Sequence, residues 1–400
     1  MLLNESRVRE VLERYQIDIL VATTPENVTY CTDFWSLGHW LLPGVECYAV
    51  LTPDRSQAPY LILSQGELDL LIEQGADHLA TFTYGTFYYE MAKVKKSDQT
   101  SDSSLFERLT VSDGPYRNAQ EALVSLFHNR GWSNLSVALD ERGTTPSTFS
   151  MLENKIDNLK VRPGYALFQE IRAVKTPEEI ERIREATRIT ERAIEAVLAE
   201  VHVGMTEKEM AKVFNMTVIK EGGTPLLTVI GCGEHSALGN AIPSDRKVRK
   251  GDIIRFDVGC RYKQYCSDIA RIVVFGTATA KQRSYYQAIL EGENQALGLV
   301  EPGVTAGAIY QAALEGVRRA GISHYRRHHV GHGIGIEVYG PPLLAPDNSM
   351  PLEASMVLNI ETPYYELGFG GLQVEDTLVV TEQGYELLTE SSRDFRLIID

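Results

Sequence analysis

The chain has 400 residues, of which 44% are hydrophobic and 23% charged, a balance typical of a globular protein. Its formal net charge of −15 argues against nucleic acid or a membrane surface as a partner, because both bind basic surfaces. The amino terminus lacks a signal-peptide pattern, no apolar run approaches the ~20 residues of a membrane span, and the five cysteines form no CxxC pattern. These features predict a reduced, cytoplasmic protein.

The first part of the chain has the pattern of an α/β domain. Residues 5–16 have helical spacing, and residues 17–23 form an apolar run typical of a buried strand. We expect this domain to cover residues 1–165.

The pattern changes near residue 165, where long helices with clear start signals begin. Thr176, Pro177 and Glu179 form a capping box with proline at the first helical position. Thr206 and Glu209 predict the start of a second capped helix. A second domain is therefore expected over residues 166–400.

Two aspartates lie in residues 253–275, a segment that otherwise has a strand pattern. Asp is unfavourable in strands, because it competes for backbone hydrogen bonds and brings a charge to a half-buried surface. If residues 253–259 and 266–275 pair as a hairpin, Asp257 and Asp268 face each other and their carboxylates repel. A bound cation would remove the repulsion, although surface hairpins also carry opposed acids.

A second acid-bearing hairpin is predicted near the carboxyl end. Glu361 and Glu375 are placed symmetrically about Gly368, as expected for facing positions in a long hairpin. Between the two hairpins, His332 stands in a Gly-His-Gly sequence, and glycines permit close backbone approach. A lone histidine is more often structural, but beside four buried acids we predict His332 to be a metal ligand.

The predicted ligand set favours a pair of divalent metal ions. Four carboxylates balance the charge of two such ions, and oxygen and nitrogen donors without thiolate suit Mn, Fe, Co or Zn better than Ca. We expect Mn. Two ions about 3.5–4 Å apart share a bridging hydroxide and polarise a substrate carbonyl, which predicts hydrolysis.

These residues and their contexts resemble the creatinase, prolidase and methionine aminopeptidase family, the pita-bread metallopeptidases. The contexts are FDVG, YCSDIAR, GHGIG, NIETP and VEDT, and PSDRKVRKGD leads into the first of them. Upstream, RVREVLERYQIDILVATTPENVTYCTDF resembles the creatinase-type N-terminal domain, and IRAVKTPEEIERIREA its junction with the catalytic half. The resemblance implies a creatinase-like α/β N-terminal domain and an α+β pita-bread catalytic domain.

The resemblance also implies a role for each ligand. Asp257 would bind one metal, and His332 and Glu361 the other. Asp268 and Glu375 would bridge both ions. Glu361 would also be the general base, carrying a proton from the attacking water to the leaving amine.

Further candidates come from the same resemblance. His328 matches an active-site histidine of the prolidase and aminopeptidase P branch. Members are commonly homodimers in which one subunit's N-terminal domain borders the other's active site. Trp35, His39 and Trp40 are the candidate contributors here, with local packing as the alternative.

The residues expected to face the substrate depart from the family pattern. Asn240 and Tyr339 stand where peptidase members usually carry histidine, and Gln373 replaces the arginine of the prolidase-like RIED sequence. Asn240, Gln373 and His235 are predicted to bind substrate. Tyr339 is predicted to be catalytic, because its hydroxyl can donate a hydrogen bond to an oxyanion.

Three functions follow as hypotheses. The first is a dinuclear metal hydrolase of small peptides, of the Xaa-Pro dipeptidase or aminopeptidase type. The second is a hydrolase of a small non-peptide C–N bond, such as a cyclic amidine or an N-acyl amino acid. The third is a catalytically inactive binding module, as in family relatives that have lost metal ligands.

Overall fold

The computed structural model describes residues 2–42, 44–52, 57–90, 106 and 116–399. Its contacts divide the chain into two compact units, Met1–Arg172 and Ala173–Asp400. In the described ranges no helix is long and apolar enough to cross a membrane.

A six-stranded mixed sheet forms the centre of the first unit. The strands are β1 (Ile19–Ala22), β2 (Tyr48–Leu51), β3 (Tyr60–Ser64), β4 (Ala80–Tyr84), β5 (Ser136–Leu139) and β6 (Lys160–Pro163). Their order across the sheet is β4-β3-β2-β1-β5-β6. β1 pairs antiparallel with β2 and parallel with β5, so the sheet changes direction at its centre.

The helices that begin in this unit are α1 (Glu5–Tyr15), α2 (Pro25–Thr32), α3 (Leu37–Leu41), α4 (Leu68–Glu73), α5 (Ala119–Arg130), α6 (Pro146–Lys155) and α7 (Tyr165–Ala173). α1 and β1 confirm the helix and the strand expected at residues 5–16 and 17–23. Apolar residues of α5 and of the central strands, such as Leu123 and Val21, form the core of the unit.

Four long helices belong to the second unit: α8 (Pro177–Glu200), α9 (Glu207–Lys220), α10 (Ala280–Leu297) and α11 (Ala306–Arg319). The predicted helix starts are confirmed, because α8 and α9 both begin with a complete capping box. In each box a threonine side chain accepts from the backbone of a glutamate, whose carboxylate accepts in return.

The second unit contains a ten-stranded sheet and a separate two-stranded ribbon. The strands are β7 (Thr224–Cys232), β8 (Ile253–Tyr262), β9 (Tyr265–Cys266), β10 (Ile269–Phe275), β11 (Gly331–Gly333), β12 (Gly340–Leu343), β13 (Val357–Glu361), β14 (Tyr364–Glu366), β15 (Gly370–Leu372), β16 (Glu375–Thr381), β17 (Gly384–Leu387) and β18 (Arg396–Ile398). The main order is β12-β11-β13-β16-β10-β8-β7, with β9, β17 and β18 attached at the side, while β14 and β15 form the ribbon.

Strand alternation directs the polar side chains of β8 and β13 away from the helices. On β8, Ile254, Phe256 and Val258 are buried in a cluster with apolar residues of α8 and α9. On β13, Leu358 and Ile360 are buried in a cluster with residues of α10 and α11. Because successive side chains of a strand point to opposite faces, the intervening residues 255, 257, 359 and 361 point to the other face of the sheet.

Candidate metal centre

The five predicted ligands lie on neighbouring elements of the second sheet. Asp257 is on β8, Asp268 stands directly before β10, Glu375 begins β16, Glu361 ends β13 and His332 is on β11. These strands are adjacent in the order β11-β13-β16-β10-β8. The sheet therefore gathers into one row five residues that are up to 118 positions apart in the sequence.

The carboxyl-terminal hairpin has the predicted register. Glu361 and Glu375 are direct partners across β13 and β16. The ribbon continues this register, since Tyr364 pairs with Leu372 and the tip contains Gly368 at a φ of +84°. Glycine adopts this backbone conformation without steric cost.

The register predicted for the first hairpin was wrong. Asp257 is opposite Ala270, so Asp268 lies two positions away from the facing site. The reason is a two-residue turn at Lys263 and Gln264, both at positive φ, which pairs Tyr262 with Tyr265. A shift of two residues preserves the face of the sheet, so both carboxylates still point to the same side.

The closest grouping of ligand atoms joins Asp268, His332 and Glu375. One donor atom from each lies within 4.8 Å of the other two, and His332 Nε2 is 3.8 Å from Asp268 Oδ2. All three side chains are buried. Such spacing leaves room for a cation between the three groups.

Asp257 and Glu361 lie outside that closest grouping but interact electrostatically with it. Burial raises the pKa of all four carboxyl groups. Burial and then the neighbouring carboxylates raise the pKa of Asp268 and Glu375 well above the usual range. Burial raises the pKa of Glu361 to about 7, although the charge of Arg327 opposes this shift. The four acids therefore repel each other unless positive charge is bound.

Two buried atoms that can each bind a metal ion indicate that the residues fit such an ion. Among the described residues, Asp268 Oδ1 and His332 Nε2 have no hydrogen-bond partner. His332 Nδ1 is 3.1 Å from the carbonyl of Gly333 and donates to it, which leaves a lone pair on Nε2. Burial lowers the pKa of His332 to about 4, so the imidazole is neutral at pH 7. An oxygen and nitrogen donor set of this kind suits a divalent transition metal.

Both glycines beside His332 are required by close backbone contacts. A Cβ atom at Gly331 would lie 2.0 Å from the Asn359 carbonyl oxygen, and one at Gly333 would lie 2.2 Å from that of Pro341. Any side chain at either position would push β11 away from its neighbours. The Gly-His-Gly pattern therefore holds the imidazole against the sheet.

Arg255, which the sequence analysis did not single out, orients Asp257. Its side chain is completely buried, and its Nη1 donates to Asp257 Oδ2 at 2.9 Å and to Gln373 Oε1 at 2.8 Å. Nε donates to the carbonyl of Ser236, and Nη2 donates to the carbonyls of residues 238 and 239. All five N–H groups of the guanidinium are thus used within the protein. Its position two residues before Asp257 on the same strand is the sequence feature that could have identified it.

Further side chains support the remaining acids. Asn359 Nδ2 donates to Glu375 Oε1 at 2.9 Å and to the carbonyl of Asp268 at 2.8 Å. Arg271 donates to the carbonyl of Glu375 at 2.7 Å. Buried His329 has Nδ1 3.3 Å from Glu361 Oε1. Asn359 and Arg271 stand inside the quoted sequences NIETP and YCSDIAR, but only the folded chain shows that they and His329 contact the acids.

Two predicted catalytic residues lie beside the metal ligands at different depths. The ring of Tyr339 stacks on that of His332 with centroids 3.7 Å apart, and its residue is 54% exposed. His328 is exposed and meets the ring of His329 edge-on, with centroids 4.3 Å apart. The histidine in contact with Glu361 is therefore His329, the neighbour of the predicted His328.

The structure places the three predicted substrate-binding residues of this unit in different surroundings. Gln373 donates to Glu361 Oε2 at 3.3 Å and accepts from Arg255, so it lies within the centre. Asn240 is exposed and directly follows the two carbonyls that Arg255 holds. His235 is bound instead to the buried carboxylate of Glu207, at 2.8 Å.

The other three candidates, Trp35, His39 and Trp40, belong to the first unit, where Trp35 precedes α3 and the other two lie on it. Burial lowers the pKa of His39 to about 4. The Trp35 backbone exchanges hydrogen bonds with the Gln74 side chain. Their local contacts are thus within the unit that carries them.

Comparison with known proteins places this centre in a family. Residues 181–382 match metallopeptidase family M24, and residues 6–174 match the creatinase/prolidase N-terminal domain. The chain is 33% identical to the Xaa-Pro dipeptidase of Pyrococcus furiosus over 252 residues, which cover 62% of this chain and 72% of that protein.

Solved structures resemble the chain over nearly its whole length. The prolidase from Pyrococcus furiosus has a TM-score of 0.74 at 25% identity and covers 96% of this chain and 99% of its own. The X-Pro aminopeptidase from Thermotoga maritima has a TM-score of 0.76 at 24% identity over 99% of each chain, a likeness that shows the fold alone.

These likenesses confirm the fold class expected from the sequence, a creatinase-type N-terminal domain followed by an α+β pita-bread domain. The M24 match also spans all five predicted ligands. The chain belongs to metallopeptidase family M24, whose peptidases use divalent metal ions.

Proposed function

We propose that this protein is a dinuclear metal-dependent Xaa-Pro dipeptidase that hydrolyses the peptide bond before proline in small peptides. The observation that carries the proposal is the convergence of four carboxylates and one imidazole on adjacent strands, where two buried ligand atoms have no hydrogen-bond partner in the part of the chain that the structure describes. The similarity to an Xaa-Pro dipeptidase supports the substrate class.

Each ligand has a proposed place in the centre. Asp257 would hold one ion, His332 and Glu361 the other, and Asp268 and Glu375 both. Bound divalent ions supply a nucleophile from water near neutral pH and polarise the scissile carbonyl. The charge of four carboxylates matches two divalent ions, and we propose Mn as the native metal, with Fe, Co or Zn as substitutes.

The chain's own side chains would then move the proton and stabilise developing charge. Glu361 is proposed to accept a proton from the attacking water and to deliver it to the proline nitrogen, the leaving group. Its carboxylate is oriented by the contacts with His329 and Gln373. The Tyr339 hydroxyl is proposed to donate a hydrogen bond to the oxyanion that replaces the carbonyl.

The test of this proposal is a comparison of substrates with defined metal content. Protein loaded separately with Mn, Fe, Co or Zn is assayed on Xaa-Pro dipeptides, longer Xaa-Pro peptides and dipeptides without proline. We expect two ions per chain by elemental analysis and metal-dependent cleavage of proline substrates, and no cleavage by Asp257→Asn. A fully metal-loaded protein that leaves every peptide intact would reject the peptidase function.

A second candidate function is the hydrolysis of a small non-peptide C–N bond, such as that of a cyclic amidine or an N-acyl amino acid. Two departures from the family pattern favour it, since Tyr339 and Asn240 stand where peptidase members usually carry histidine. Such compounds form the second substrate panel in the same assay. Activity confined to peptides would reject this candidate.

Replacing Tyr339 with phenylalanine tests its proposed role. The ring can still stack on His332, so the change removes the hydroxyl alone. Loss of one oxyanion donor lowers kcat by about 10²–10³-fold, with little change in KM. Steady-state kinetics on an Xaa-Pro dipeptide measures both constants. An unchanged kcat would remove Tyr339 from the catalytic residues.

We also propose a homodimer in which Trp35, His39 and Trp40 of one subunit border the active site of the other. The support is the exposed apolar surface around α3, where Leu41 is 65% and Leu42 58% exposed. Sedimentation velocity at micromolar concentration measures the assembly directly. A monomer under conditions of full activity would exclude a shared site.

A further inference from the structure

β10 and β16 bring together the two ligands proposed to bind both ions, yet these strands pair over a very short length. In the described part of the chain they share one registered pair, Ala270 with Glu375. By contrast, β10 pairs with β8 through six residues, and β13 pairs with β16 through five. Asp268 and Glu375 lie at this short junction. The separation of these two ligands therefore depends on contacts other than the strand ladder.

The Arg271 guanidinium crosses the junction on the face of the sheet opposite to the ligands. Asp376 directly follows Glu375 on β16, so its side chain points to that opposite face. Arg271 Nη2 donates to Asp376 Oδ1 at 2.6 Å, which places the guanidinium there. Its Nη1 donates to the carbonyls of Ala270 at 3.0 Å and Glu375 at 2.7 Å. One nitrogen thus joins the two strands at their registered pair, while Asn359 joins them from the ligand face.

Arg271 belongs to a network of four charged residues that reaches the carboxyl-terminal segment. Arg393 Nε is 3.3 Å from Asp376 Oδ2, and Arg393 Nη1 donates to Glu293 Oε2 of α10 at 3.4 Å. Arg271 Nη2 also donates to the carbonyl of Ser391 at 3.1 Å. The network therefore connects α10 and the segment after β17 with the junction of the ligand strands.

Stability alone does not explain this network. Glu293 is 0%, Asp376 1% and Arg271 6% exposed, and apolar core residues surround them. Apolar side chains of similar size often make a protein equally or more stable than a buried ion pair, because desolvating the charges is costly. A planar guanidinium, however, can donate to two backbone carbonyls and a carboxylate at fixed positions, which apolar side chains cannot do. The network thus favours a positional role.

We propose that Arg271 and Arg393 are positioning residues for the metal centre, which set the separation of Asp268 and Glu375 from the opposite face of the sheet. This inference rests on the proposed ligand set and goes beyond it. Arg271 reaches Glu375 through the backbone and not through the carboxylate. Its loss should therefore change metal affinity and ligand geometry, whereas loss of a merely structural residue changes only the free energy of unfolding.

The test compares metal binding in variants that keep every ligand. Wild type, Arg271→Met, Arg271→Lys and Arg393→Gln are titrated with Mn against a competing chelator, under conditions in which circular dichroism shows each to be folded. We expect about 10–100-fold weaker binding for Arg271→Met and about 10-fold for Arg393→Gln. Arg271→Lys should restore part of the affinity, since an ammonium group can still donate to the carbonyls.

Two further measurements separate positioning from general destabilisation. The control is Arg184→Met, which breaks a largely buried pair with Glu386 at 3.0 Å in the same unit and should bind metal as wild type does. The visible absorption of the Co-loaded protein reports ligand geometry directly. It should change in Arg271→Met and Arg393→Gln but not in the control.

The outcomes that would overturn the inference are distinct from failure of the proposed centre. Variants at 271 and 393 that are less stable but keep wild-type metal affinity and absorption would show a structural role only. If Arg271→Met does not fold, Arg393→Gln decides the question, because its side chain is partly exposed at 27%. Wild type that binds fewer than two ions would reject the proposed ligand set, and this inference with it.

Discussion

Replacing Asp268 with asparagine should abolish hydrolysis while making the metal-free protein more stable. Asp268 lies in the closest ligand grouping and is buried, with Oδ1 unpaired among the described residues. Loss of a ligand that is proposed to bind both ions should remove several kcal/mol of transition-state stabilisation, which corresponds to about 10³-fold or more in kcat/KM. Asparagine keeps the shape of the side chain but removes one of the four crowded charges. We therefore expect the free energy of unfolding of the metal-free protein to rise by about 1 kcal/mol.

The stability gain should depend on pH with a defined sign. Burial and the neighbouring acids raise the pKa of Asp268 above its usual value. Below about pH 4 the group is protonated in both the folded and the unfolded state, so wild type and variant should differ little. As the pH rises, the unfolded state ionises more easily than the folded state. The metal-free wild type should therefore lose stability relative to the variant.

Urea unfolding from pH 4 to 8 in the presence of a chelator measures this difference. Asp245→Asn, at an exposed acid paired with Lys208, is the matched control and should change stability by no more than about 0.5 kcal/mol. Added metal should stabilise wild type but not Asp268→Asn. A variant that keeps wild-type activity, or that is less stable than wild type without metal at pH 7, would contradict the assignment of Asp268.

Replacing Arg255 should damage both the fold and the centre. Arg255→Met leaves Asp257 and three backbone carbonyls without their donor. Removing one partner of a buried ion pair costs about 3–5 kcal/mol, because the other charge remains uncompensated. Arg255→Lys keeps the charge but cannot supply five planar donors, and we expect about 10–100-fold weaker metal binding or activity.

Urea unfolding and competitive metal titration separate these two effects. Arg188→Met, which breaks an exposed pair with Glu390, is the control and should cost no more than about 1 kcal/mol. A methionine variant of wild-type stability, or a lysine variant with wild-type metal affinity, would show that Arg255 does not position Asp257.

The local sequence was sufficient for features that depend on near neighbours. Capping boxes at Thr176 and Thr206 use partners three residues away, so the starts of α8 and α9 could be predicted. The symmetry of Glu361 and Glu375 about Gly368 predicted their pairing, because a hairpin is a local structure. The identity of the acids and of His332 followed from residue types that are costly to bury without a ligand.

Only the tertiary structure decided how distant segments combine. The first hairpin is also local, but its register was missed because the two-residue turn at Lys263 and Gln264 was not recognised. Arg255 meets Gln373 across 118 residues, a contact that no local pattern encodes.

The choice between adjacent histidines was likewise made by the fold. His328 and His329 have the same chemistry, and only the packing of the segment before β11 turns the second inward to Glu361 and leaves the first exposed. The sequence by itself thus determined which residues could bind metal, because burying such charges is costly wherever they lie. Strand order and long-range packing determined which neighbours orient those residues.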